Sequence, residues 1–456
     1  MARKPAGSGP RVAVIGGGFS GTAAGWMLAQ LGATVTLYEA SGRLGGRVWS
    51  QPDFTPGRTI EWGGELIGYN HPAWIFFAEA AQLGLSMLTT EDAYDALGLS
   101  MPMVLGGVPL GDDDQRKVYA DMQMAFGLIN GDAASIDPIQ PWTSPNAAAL
   151  DAMPLAQKLD GLSYTSPYSR VALEAQFANN NGASTDQQSY LANLALVAGA
   201  AQWDGDLMSF WNDSEVARCA QGNMALATTL GAAIHALQPG AVRMNAAVTS
   251  VNVSSGGVTV TARGVTDTFD YAILAVPPSV WGSVGITPAL PPDYAPTMGT
   301  VVKFLSTVDS RFWLGPRIAP SGSDDSIGMV WEGTDNQIGS GGVELSLFAG
   351  GPVAVRAIQS GDPWGFYAAA LDRDWTGYRS ATSQGNTHFQ NWEAQPFVMG
   401  GYSCPQPGEA TTVWPNLFNG WQDRLLFAGE HASPGFFGYM EGALESGILA
   451  ASRLTR

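Results

Sequence analysis

The first apolar run of the chain, Val12-Ala13-Val14-Ile15, is continuous rather than alternating, which predicts a strand buried on both faces. Glycines follow, and residues 20–31 then carry a helical pattern that stops at Gly32. Residues 34–38 predict a second strand, closed by Glu39. Residues 73–83 and 190–201 read as helices. Residues 246–251 and 257–261 read as two strands joined by a turn at Ser254-Ser255-Gly256. Residues 271–276, 300–308, 343–348 and 424–427 are further strand-like runs, and 440–454 predicts a closing helix. No run of about 18 apolar residues occurs. The best candidate, residues 191–201, is short and carries Asn193. A soluble, cytoplasmic protein is expected, and the polar start with Arg3 and Lys4 leaves no separate secretory segment ahead of Val12.

Strand, helix and strand in that order predict an α/β fold with a parallel sheet. At 456 residues the chain suits two or three units, and 45% apolar residues are enough for large cores. Net charge is −18. A nucleic-acid partner needs a basic face and is therefore not expected, whereas an acidic field mildly attracts cations, amines included. Cys219 and Cys404 cannot form a disulfide framework, and His71, His235, His388 and His431 are too scattered for metal-ligand spacing. Asp112-Asp113-Asp114 reads as a solvated turn, and no metal is expected.

The chemistry begins at Gly16-Gly17-Gly18-Phe19-Ser20-Gly21, a G-x-G-x-x-G pattern between strand and helix. Gly16 permits the tight turn, Gly18 lets a pyrophosphate approach the backbone, and Gly21 lets helix and strand pack closely. The helix start offers free N–H groups to the phosphates. Glu39 lies 18 residues beyond Gly21, where it can accept from a ribose hydroxyl. That acid disfavours a 2′-phosphate and points to FAD or NAD. Directly afterwards, in Ser41-Gly42-Arg43-Leu44-Gly45-Gly46-Arg47, the pair Gly45-Gly46 is flanked by Arg43 and Arg47, a loop whose guanidinium and N–H groups suit phosphate.

Glu39, Arg43, Gly45, Gly46 and Arg47 together resemble the signature of the flavin-dependent amine oxidase family, in which this loop covers the FAD pyrophosphate. The resemblance continues. Thr59-Ile60-Glu61-Trp62-Gly63-Gly64-Glu65 is similar to the family's segment near the flavin, which marks Gly63, Gly64 and Glu65 as cofactor-binding. Val248 matches a valine whose backbone contacts the adenine. Phe427-Ala428-Gly429-Glu430 and Gly438-Tyr439-Met440-Glu441-Gly442-Ala443 match the loop and helix start that close over the flavin, bringing in Gly429, Glu430, Tyr439 and Met440. A helix N-terminus there would favour negative charge on the reduced cofactor.

The resemblance implies a discontinuous Rossmann-like FAD-binding domain (residues 1–75, 215–285 and 385–456) interleaved with a substrate domain (76–214 and 286–384), the latter a mixed sheet flanked by helices. It implies hydride transfer from an amine to flavin N5, an imine product hydrolysed to aldehyde or ketone, and reoxidation by dioxygen to hydrogen peroxide. Lys303 lies in an apolar strand, where an ammonium is costly without partners. It is either an edge lysine that snorkels to solvent or the family's lysine that holds a water against N5. Tyr402, in Gly400-Gly401-Tyr402-Ser403, and Tyr439 match the aromatic cage that guides the amine nitrogen. Cys404 lies two residues past Tyr402 rather than just before it, so non-covalent FAD is expected.

The residues leave the substrate open. Gly63-Gly64-Glu65-Leu66-Ile67 lacks the arginine that amino-acid oxidases place after this glycine pair, with Arg218 a candidate replacement. Glu65 is a candidate for holding a second ammonium. Trp203, Phe210, Trp211, Trp331, Phe366 and Tyr367 suggest an apolar pocket, though most are expected in cores. The favoured substrate is a primary or secondary amine with an apolar or aromatic body. An L-amino-acid oxidase, an oxygen-avoiding dehydrogenase or desaturase, and a non-catalytic FAD-binding protein are the alternatives; a homodimer is left open.

Overall fold

The structure, a computed structural model, describes residues 9–202, 204–337 and 341–455. Arg3, Lys4 and Trp203 lie outside the described residues. Strand Arg11–Ile15 is the centre of a five-stranded sheet, all parallel, in the order Leu425–Phe427, Tyr271–Leu274, Arg11–Ile15, Thr34–Tyr38, Val242–Arg243. Val12, Ala13 and Val14 are fully buried, as the unbroken apolar run requires. The helix Phe19–Gln30 follows through Gly16, whose φ of +108° suits only glycine.

The closing helix Met440–Arg453 packs directly on this first helix. The approach is close at Gly447, where a Cβ would stand 2.3 Å from the Ser20 carbonyl oxygen. Small residues thus bring the starts of two helices, at Phe19 and Met440, to one face of the sheet. A four-stranded sheet lies beside it, in the order Val265–Phe269, Gly257–Ala262, Val248–Ser254, Gly285–Thr287.

The second large sheet has seven strands, in the order Thr387–Asn391, Val301–Val308, Val343–Gly350, Gly328–Glu332, Gly322–Asp324, Met103–Leu105, Val108–Pro109. It is mixed: Gly322–Asp324 runs parallel to Met103–Leu105 and the other pairs are antiparallel. Helices Gly351–Ser360 and Pro363–Asp374 pack on one face through Ala354, Ala357, Tyr367, Ala368 and Leu371. The fold is therefore the expected mixed α/β arrangement. Tyr190–Ala200 is buried along its whole length, so the apolar run at 191–201 is a core helix.

Two expectations need correction, and one of the two alternatives for Lys303 is excluded. Thr387–Asn391 hydrogen-bonds to Val301–Val308, so the last FAD segment cannot begin at 385; that strand belongs with the second sheet. Lys303 is not on an edge strand, because Val301–Val308 is paired on both sides and Lys303 faces Phe348 and Gln390 in register. Asp112-Asp113-Asp114 is no turn but the first turn of the helix Asp112–Ala133, where three acids meet the positive end of the dipole.

Candidate functional site

A cavity of about 510 Å³ runs between the two large sheets. At one end it is lined by Gly16, Gly18 and Ser20 from the glycine turn and by Glu39, Arg43 and Gly46 from the loop after the second strand. Val248 and Val276 line it as well. Gly63, Gly64, Glu65, Lys303, Tyr402, Gly429, Glu430, Tyr439 and Met440 line the remainder. Of the residues expected from sequence to bind the cofactor or to act in catalysis, all line the wall but Gly21. It works from behind, since a Cβ there would come within 1.9 Å of the Gly16 carbonyl oxygen. Gly18 is different: a Cβ would have no atom nearer than 3.9 Å, so the space above it is open.

The loop is held by its own charges. Glu39 accepts from the Gly17 N–H at 2.7 Å and from the N–H and hydroxyl of Ser41, both at 2.7 Å. Arg43 donates to the carbonyls of Val48 and Gly46 and stacks over Trp49. Gly45 and Gly46 have φ of +113° and +61°. Arg47 pairs with Glu430 at 2.7 Å and donates to the Gly401 carbonyl. Glu430 also accepts from the Ser403 hydroxyl at 2.6 Å and the Gly438 N–H at 2.8 Å. Burial works against the charge on Glu430, but Arg47, His431 and the Ser403 hydroxyl together outweigh it and hold the carboxyl below its usual range. One carboxylate thus ties together the loop at 47, the segment at 401–403 and the start of the last helix.

Lys303 does not stand alone. Its Nζ donates to Glu65 Oε2 at 2.6 Å and to the Glu61 carbonyl at 2.7 Å, with the Gly63 carbonyl at 3.4 Å. Glu65 in turn pairs with Arg218 at 3.1 Å and accepts from the Trp331 indole at 3.0 Å. Glu65 is buried, and the two cations keep it ionised against that burial. The idea that Glu65 holds a substrate ammonium is therefore corrected, since its carboxylate is already engaged by three donors. Arg218 is corrected likewise: it is buried, it also bonds the Asp335 and Glu332 carbonyls, and it does not line the cavity. Two further carboxyls lie in this cluster. Burial raises Glu61 to about 7 and Glu344 to about 8, in Glu344 with added repulsion from Glu65.

Tyr402 and Tyr439 line the same stretch of cavity. Tyr402 donates to the Asn179 carbonyl at 2.8 Å, and Tyr439 donates to Glu215 at 3.4 Å. Burial, with Glu215 adding to it, lifts both phenols well above their ordinary value, so both stay protonated. Trp331, Phe348, Trp392 and Phe397 give this end an apolar wall. Of the expected aromatic residues that are described, Trp331 alone is among them; Phe210, Trp211, Phe366 and Tyr367 pack in cores. Asn179, Glu215, Trp392 and Phe397 were not anticipated. Asp213-Ser214-Glu215 has the pattern of a surface turn, and no spacing in the chain distinguishes it. Neither Cys219 nor Cys404 reaches the cavity.

A cavity lined by a glycine turn, a helix start and two tyrosines has the donors and the open backbone that a dinucleotide cofactor requires. Fold and site together define a nucleotide-cofactor oxidoreductase. The chain belongs to the family of flavin containing amine oxidoreductases, whose sequence model matches residues 19–455. FAD is accordingly its cofactor. Among its relatives are an L-amino acid dehydrogenase of Synechocystis, 23% identical over 97% of this chain and 94% of the relative, and a nicotine dehydrogenase of Pseudomonas putida, 26% identical over 96% and 87%. The fold matches cyclohexylamine oxidase from Brevibacterium oxydans with a TM-score of 0.82 at 23% identity, covering 98% of this chain and 99% of the other. It also matches a putrescine oxidase bound to putrescine, with a TM-score of 0.81 at 20% identity over 97% and 98%.

Proposed function

We propose that the protein is an FAD-dependent oxidase of a primary or secondary amine with an apolar or aromatic body. The chemistry FAD supplies when bound is two-electron acceptance: hydride leaves the carbon beside nitrogen, water hydrolyses the resulting iminium, and dioxygen is reduced to hydrogen peroxide. The turn at Gly16 to Gly18, the start of the first helix, Glu39 and the loop at 43–47 would hold the nucleotide part, with Val248 beside the adenine. Gly63, Gly64, Gly429 and the helix start at Met440 would flank the ring. The cysteines lie away from the cavity, which supports non-covalent binding.

The observation that carries the reading is that Tyr402, Tyr439 and Lys303 line one cavity with the glycine turn, although they are far apart in sequence. The two phenols bind and orient the amine nitrogen between their faces. Trp331, Phe348, Trp392 and Phe397 exclude water and accept an apolar body. The lining arginines argue against an α-amino acid. Arg43 is committed to backbone carbonyls and Arg47 to Glu430, so neither is a free clamp for a carboxylate. A panel of amines against the matching amino acids, read by peroxide release, tests this. Activity on amino acids but not amines would overturn the substrate assignment.

One observation favours a second reading, an oxygen-avoiding dehydrogenase. Lys303, the cation that would assist dioxygen, is paired with Glu65. Flavin that is reduced by an amine without oxygen, and is then reoxidised by an artificial acceptor but not by air, would select this alternative.

A further inference from the structure

Glu215 sits just before the strand Ala217–Cys219 and opens into the cavity beside Tyr439 and Tyr402. It makes no ion pair among the described residues, and its one hydrogen bond comes from the Tyr439 hydroxyl at 3.4 Å. The other cavity-lining carboxylates, Glu39, Glu65 and Glu430, are each held by several protein donors. Glu215 is thus an acid with spare acceptor capacity, next to the ring that would hold the reacting nitrogen.

We propose that Glu215 is the residue that receives the substrate as its ammonium ion and takes one proton from it. This rests on the amine-oxidising reading of the site. An aliphatic amine with a pKa of about 10, like that of a lysine side chain, is almost entirely protonated at neutral pH and has no lone pair to assist loss of hydride. The transfer balances simply. The N–H bond of R–NH3+ breaks, its electron pair stays on nitrogen, and the proton forms an O–H bond on the carboxylate, leaving R–NH2 and a neutral carboxylic acid. Both products are uncharged, which suits a cavity walled in part by Trp331, Phe348, Trp392 and Phe397. The charged and titratable groups facing Glu215 are the phenols of Tyr439 and Tyr402, both protonated, so no fixed cation competes for it. Desolvation by the surrounding wall raises the Glu215 carboxyl above its ordinary value, although Tyr439 opposes this and the side chain keeps accessible surface, and so strengthens it as a proton acceptor.

The test uses the FAD-loaded protein and tert-butylamine, which has no C–H beside nitrogen and cannot turn over. Binding is followed at pH 8 by calorimetry in buffers of different ionisation enthalpy. Wild type is expected to bind the ammonium with close to zero protons released. Glu215→Gln, able to take only neutral amine, is expected to release close to one proton, and Glu215→Asp to restore retention. In turnover, kcat/KM of Glu215→Gln should rise about tenfold per pH unit below the amine's pKa, while that of wild type stays nearly flat. Equal proton counts and parallel pH profiles in wild type and Glu215→Gln would overturn the assignment. Failure of every amine to bleach the wild-type flavin would instead overturn the underlying reading.

Discussion

Lys303 Nζ lies 2.6 Å from Glu65 Oε2, and the same carboxylate holds Arg218 at 3.1 Å on its other oxygen. Two cations share one anion. Burial keeps Glu344 mostly neutral and Glu61 about half neutral around pH 7, so the cluster retains a partial positive charge, with Lys303 as the cation that lines the cavity. That residual charge is what a superoxide intermediate would feel. Lys303→Met should therefore slow reoxidation of reduced flavin by dioxygen at least tenfold, while anaerobic reduction by amine changes less than threefold. Stopped-flow measurement of the two half-reactions decides it. Equal losses in both would remove Lys303 from the oxygen step.

The same cluster makes stability depend on pH. The Glu344 carboxyl is raised from 4.5 to about 8 in the fold, first by burial and then by Glu65. The folded protein therefore binds a proton that the unfolded chain gives up. The contribution is fully present below about pH 4.5 and is lost as pH rises through 8. Glu344→Gln mimics the neutral form. It should flatten the fall in denaturant midpoint between pH 6 and 9, leaving the variant relatively more stable at pH 9. An unchanged slope would mean that Glu344 is ionised in the fold.

Gly18 and Gly21 separate cofactor binding from folding. An added methyl at Gly18 has no neighbour closer than 3.9 Å, whereas at Gly21 it would collide with the Gly16 carbonyl oxygen at 1.9 Å. Gly18→Ala should leave the melting temperature of the FAD-free protein within a degree or two and weaken FAD binding about tenfold or more. Gly21→Ala should destabilise the FAD-free protein itself, by about 1–3 kcal/mol as overpacked sites do. Thermal melts of stripped protein, followed by FAD titration, distinguish the two. Wild-type affinity in Gly18→Ala would show that no phosphate passes over that glycine.

Much of this was legible in the sequence because local patterns determine it. The run Val12 to Ile15, the glycine turn and the closing helix at Met440 each follow from a few adjacent residues, and the structure has them within a residue or two of the expected bounds. What escaped depends on contacts between distant segments. Glu65 looked free because its partners lie at 218, 303 and 331. Glu215 drew no reading from the sequence because nothing nearby in the chain reveals that it opens into a cavity. Thr387–Asn391 was assigned to the wrong unit because strand pairing, not composition, decides membership of a sheet.

The pairing of Arg47 with Glu430 yields the last prediction. Glu430 is 4% exposed and joins three segments that come together only in the folded chain. Arg47→Met removes the cation but leaves the acid buried, which costs about 3 kcal/mol when no new partner forms. Arg43 is a useful control, since it bonds only carbonyls within its own loop and stacks on Trp49. Arg43→Met should cost about 1 kcal/mol, the net worth of an ordinary hydrogen bond or two. The double change Arg47→Met with Glu430→Gln should recover part of the loss, because a neutral amide can still accept from Ser403 and Gly438. Urea unfolding of wild type, Arg47→Met, Glu430→Gln and the double variant measures this coupling, with Arg43→Met run beside them as the control. Strict additivity of the two changes would mean that Arg47 acts elsewhere than through Glu430.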